Sequence, residues 1–164
     1  MEPEPEIFNM LTALQRWVAE RLEQLDLYTG REGYNIVTED LGDVLAELEQ
    51  RLAAIGLGIA VVTPKISKGE RPREIFVAIT IAITEMPTLN RGASGTRISA
   101  MDVALAVCGL FDNQAPDPWA PFLLQEAQPV AVPDRPGFKG AIEWDVTFQT
   151  GTILHVQSTA EAVA

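Results

Sequence analysis

The sequence predicts an α+β domain: a mostly antiparallel sheet of about four strands with helices packed on one face. Ile75, Val77, Ile79, Ile81 and Ile83 alternate with Phe76, Ala78, Thr80, Ala82 and Thr84, the period of a half-buried strand with one strongly β-branched face. Ile142, Trp144, Val146 and Phe148 alternate with Glu143, Asp145 and Thr147 in the same way. Upstream, apolar residues recur instead at three- and four-residue steps, as on a helix buried along one side. The resulting order is helix, helix, strand, strand, helix, strand, strand, in which hairpin-linked strands need a helical layer over their apolar face.

Residues 2–6 alternate Glu and Pro, so 1–6 are expected to form a flexible acidic N-terminus, with a single domain over 7–157 and a frayed tail over 158–164. Ile7, Leu11, Leu14, Val18, Leu22 and Leu25 mark the first helix, and a glycine-containing loop follows it, with room for a short strand at 35–37. Asp40 is the expected cap of a second helix that carries Leu41, Val44, Leu45, Leu48, Leu52 and Ile55 inward and Glu47, Glu49, Gln50 and Arg51 outward. Gly56 and Gly58 end it. Leu57 to Thr63 reads as a strand, and Pro64 to Pro72, with Lys65, Lys68 and Arg71, as a basic hairpin loop leading into the strand 74–86. Ser99 and Asp102 have the spacing of a capping box and open an apolar helix running to Phe111. Three prolines make 112–121 a loop, a strand follows at 122–132 with Pro129 assigning it to a sheet edge, and the strand 141–149 closes the fold.

The chain has 164 residues, enough to bury a core without disulfides or metals, and its 47% hydrophobic and 21% charged content is that of a globular protein. A net charge of −11 opposes attraction to phosphate backbones and anionic membranes. The acidic start lacks the basic region of a signal peptide, and no apolar run has the length of a membrane span, so a soluble cytoplasmic product is expected. Cys108, the single cysteine, sits in an apolar helix pattern and reads as a small buried hydrophobe.

Catalytic patterns are sparse. Ser94, in Gly92-Ala93-Ser94-Gly95, could act as a nucleophile with His155, the single histidine, as its base, but Thr96 stands where a nucleophile elbow needs its final glycine. The same loop has neither the spacing nor the lysine of a phosphate loop, and no metal-ligand spacing occurs, so no cofactor is expected. Glu143 and Asp145 could pair as acid and base, though a solvated strand face is the commoner meaning of that spacing. The stretch after the central strand is richer. Glu85, Asn90, Arg91, Ser94, Thr96 and Arg97 form a dense polar set with two readings, a loop stitched to its own helix or a contact between subunits. Lys65, Lys68 and Arg71 are the second candidate contact.

The run from Val77 through Glu85-Met86-Pro87, Asn90-Arg91 and Gly95-Thr96, followed by Ala100-Met101-Asp102-Val103-Ala104, resembles small tail-assembly proteins of long-tailed phages and prophages. Similar proteins show a strand ending in Glu-x-Pro, then Asn-Arg, Gly-Thr and an Ala-Leu-Asp-Val-Ala helix; Met101 stands here in place of the leucine. The tail terminator, or tail completion (minor tail), proteins share this size and α+β architecture. The resemblance implies a non-enzymatic structural protein that forms a ring, commonly a hexamer, at the end of the tail tube. Its partners would be further copies of itself, the tail tube protein and the head–tail connector, in the host cytoplasm during assembly and then in the virion tail. DNA would pass through the channel without sequence-specific binding, and an acidic lining would not hold its phosphates. The alternatives are a small hydrolase using Ser94 and His155, and a protein-binding module that forms no ring.

Overall fold

The computed structural model describes residues 7–28 and 35–155; the expected flexible start, the frayed tail and most of the glycine loop lie outside the described residues. Helix α1 (Ile7–Glu23) leads to a two-residue strand, β1 (Val37–Thr38), then helix α2 (Val44–Ile55) and the long hairpin β2 (Leu57–Lys68) and β3 (Glu74–Glu85). A single turn, α3 (Pro87–Asn90), precedes α4 (Ala100–Leu110), and β4 (Leu123–Val130) and β5 (Ile142–Ile153) complete the sheet. The strand order is β1-β2-β3-β5-β4. The α+β class therefore holds, with five strands instead of about four and a mixed sheet, because β1 runs parallel to β2 while every other pair is antiparallel.

One face of the sheet carries the larger core. Ile59, Val61, Val77, Ile79, Ile81, Ile83, Val146 and Phe148 are all fully buried there, against Leu14, Val18 and Leu22 of α1 and Val103 and Val107 of α4. Phe111, Phe122 and Phe148 cluster within it at centroid distances of 5.6–5.9 Å, Phe111 stacked on Phe122 and edge-on to Phe148, and Trp17 closes the cluster. The expectation of helices on one face holds for α1 and α4 only. Helix α2 lies across the other face, where Leu48 and Leu52 pack on Val37, Ala60 and Phe138. Gly58 permits this approach, since a Cβ there would stand 2.9 Å from Leu48 Cδ2. Among the described residues, no helix lies over the rest of that face, on β3, β5 and β4.

Several boundaries differ from the sequence reading for identifiable reasons. Strand β2 continues past Thr63 to Lys68 because Pro64 sits in a bulge between Val62 and Lys65, where its missing N–H breaks no ladder bond. Asp43, not Asp40, caps α2 by accepting from the Ala46 N–H; Asp40 lies one turn earlier, bound to Arg16. Arg51 is not outward but buried. Its guanidinium donates to the Asn35 carbonyl and side chain and to Glu47, so each buried donor has an acceptor. Strand β5 extends to Ile153 because Gly151 lets Phe76 and the Ile75 carbonyl close on its backbone. Pro129 does mark an edge, since β4 is the last strand of the sheet. The Ser99 cap of α4 is as expected, with the hydroxyl accepting from the Asp102 N–H at 3.1 Å.

Candidate functional site

Glu85 ends β3, and β-sheet alternation turns it to the same side as Ile83, with its side chain fully buried. A buried carboxylate needs donors, and the following loop supplies them. Pro87 fixes the first turn of α3, which brings Asn90 back over the strand end; its Nδ2 donates to Glu85 Oε2 at 2.7 Å and to the Ile98 carbonyl at 2.9 Å. Arg91 donates to both Glu85 oxygens, at 3.1 and 3.2 Å, and the Ala100 N–H donates to Oε1 at 3.2 Å. Asn90 Oδ1 in turn accepts from the Thr96 hydroxyl at 2.6 Å and from its N–H at 3.2 Å.

Two glycines allow this closure. A Cβ on Gly95 would stand 2.0 Å from the Asn90 carbonyl oxygen, and one on Gly56, the left-handed cap of α2, 2.4 Å from the Asn90 nitrogen. Burial pushes the Glu85 carboxyl up, but the hydrogen bonds from Arg91, Asn90 and Ala100, with the Arg91 charge, together hold it below the ordinary range.

Of the candidate contact residues, the structure brings Glu85, Asn90, Arg91 and Thr96 into one hydrogen-bonded knot, so the loop is stitched to its own helix. Ser94 and Arg97 are exposed on its outside, and half of the Arg91 side chain remains open to solvent. The exposed surface continues over Ile98, Met101 and Leu105, the last of which is 74% exposed. The sequence reading missed this apolar strip, although α4 is apolar on every side apart from Asp102 and a helix of that kind is usually covered all round.

The basic set stands elsewhere. Lys65 and Lys68 lie on β2 itself and not in a loop, for the reason given by the Pro64 bulge, and Arg71 is in the turn at the far end of the hairpin, with its guanidinium on Glu74. That turn and the Glu85 knot occupy opposite ends of β3. Ser94 and His155 are separated in the same way: His155 follows β5 beside the Arg71 turn, a strand length of roughly 35 Å from the knot. Within one copy of the chain, Ser94 and His155 therefore do not meet.

Glu143 and Asp145 point to the uncovered sheet face but are not freely solvated. Asp145 Oδ1 is buried without a donor, and Glu143 accepts from the Thr84 hydroxyl at 3.2 Å. Burial first, and then Asp145 beside it, push the Glu143 carboxyl up to about 8. Burial also raises the Cys108 thiol, which suits a packing role. Among the described residues no group of three or more His, Cys, Asp or Glu side chains is placed to hold a metal ion, and no helix is long and apolar enough to cross a membrane. No protein-family model matches the chain, and no curated protein matches it.

Proposed function

We propose that the chain is a structural, non-enzymatic component of phage or prophage tail assembly, a ring-forming tail terminator or a closely related head–tail joining protein. The observation that carries the reading is the knot: the residues that resemble terminator proteins fold into one rigid strand-end, loop and helix unit. That unit offers exposed basic and apolar side chains, Arg91, Arg97, Ile98 and Met101, and its one buried acid is consumed in holding the loop together. Such a surface suits contact with another protein better than chemistry on a small molecule. The net charge of −11 fits a channel that passes DNA without holding its phosphates.

Coexpression with the tail tube protein of the same prophage tests the reading. Negative-stain images are expected to show tubes with added density at one end only; tubes that remain bare and free of the protein would reject it. Bare tubes together with binding to some other protein would favour the ring-free module.

A further inference from the structure

We propose that the two free edges of the sheet are complementary, so that the lower half of β4 in one copy adds antiparallel to the distal part of β2 in the next. This deepens the ring reading and rests on it. On one side, β4 is an edge strand whose residues Leu123–Gln128 are exposed except for Ala127. On the other, β1 covers β2 only at Ala60 and Val61, and Thr63 is tied to Glu39; among the described residues no strand lies outside Pro64–Lys68. Unpaired edges of this kind are templates for another strand.

The side chains on the two edges match face by face. Ile66 and Leu124 both belong to the α1 and α4 side of the sheet, since their register partners are Val77 and Phe148, and they are 56% and 44% exposed. Lys65 and Glu126 both belong to the opposite side, opposite Ala78 and Thr147. An antiparallel junction with Ile66 beside Leu124 places Lys65 next to Glu126, because the register shift between Leu124 and Glu126 brings the latter onto that face. The strand directions agree as well. Within one copy β2 and β4 are antiparallel, so a neighbour rotated about an axis along the strands presents β2 antiparallel to β4. The contact joins unlike patches, which is the condition for a closed ring.

Paired cysteines test the junction. In a Cys108→Ala background, Ile66→Cys with Leu124→Cys is oxidised and run on a denaturing gel. Three strand spacings, roughly 14 Å, separate these positions within one chain, too far for an internal disulfide. A ladder of covalent oligomers from the double variant, and monomer alone from each single variant, is expected. No ladder, or a dimer from either single variant, overturns the proposal. As a second arm, Lys65→Glu is expected to weaken self-association at least tenfold by light scattering on dilution, and adding Glu126→Lys to restore it; equal association of the variants overturns it. Capped tubes with no ladder would reject the edge junction and leave the terminator reading standing. A ladder with bare tubes would do the reverse.

Discussion

Glu85 and Glu143 sit on neighbouring strands near the same end of the sheet, where Thr84 and Glu85 of β3 face Glu143 and Ile142 of β5, yet their carboxyls are treated in opposite ways. Glu85 is the more deeply buried, and its carboxyl is held down. Glu143 is only partly buried, and its carboxyl is pushed up to about 8. The difference lies in the company. Glu85 faces an amide, a guanidinium and a backbone N–H, whereas Glu143 faces a second carboxyl and one hydroxyl. Burial penalises charge at both sites, and the neighbours decide whether that penalty is overcome.

The strongest way to break this contrast is to dismantle the knot without touching a charge. Gly95→Ala drives a methyl into the Asn90 carbonyl, a backbone atom that cannot swing aside, and is expected to cost about 3 kcal/mol or more in urea unfolding. Arg91→Ala should act through pH. A carboxylate held below its unfolded value adds stability above the ordinary carboxylate range and loses it as pH falls. Without Arg91 burial is less opposed, so acid unfolding followed by circular dichroism is expected to begin at a higher pH than in the parent chain. The smallest effect, of opposite sign, belongs to Glu143→Gln. A raised carboxyl adds stability below the unfolded value of about 4.5 and loses it as pH climbs through about 8. The parent chain should therefore melt at lower temperature at pH 9 than at pH 6 through this group, and the glutamine variant should show a flatter profile over that interval.

The parts of the fold governed by short-range pattern were legible in the sequence. The isoleucine alternation of β3, the Ser99 cap and the edge position implied by Pro129 all appear where local chemistry puts them. What escaped depended on partners distant in the chain. Arg51 looks outward by helical period, but the Asn35 carbonyl and side chain and Glu47 receive it inside. The position of α2 did leave a trace: Leu57 to Val61 is apolar on both faces, with small Gly58 and Ala60 on the second, the pattern of a strand covered on both sides. For the site, the residue types of the knot were readable as a polar cluster. The direction of Arg91, inward to Glu85, follows from the single turn of α3 that folds the loop back over the strand end, and the sequence marks that turn only with Pro87.

Gly56 gives the knot a mechanical meaning. It ends α2 on one face of the sheet, its carbonyl receives the Met86 N–H at 2.8 Å, and Asn90 rests directly on its Cα. From Asn90 and Glu85 the path continues through the Ala100 N–H into the first turn of α4 on the other face. A load on the exposed strip of α4 therefore reaches α2 through short polar links and bare backbone, with few long side chains between them to take up the strain.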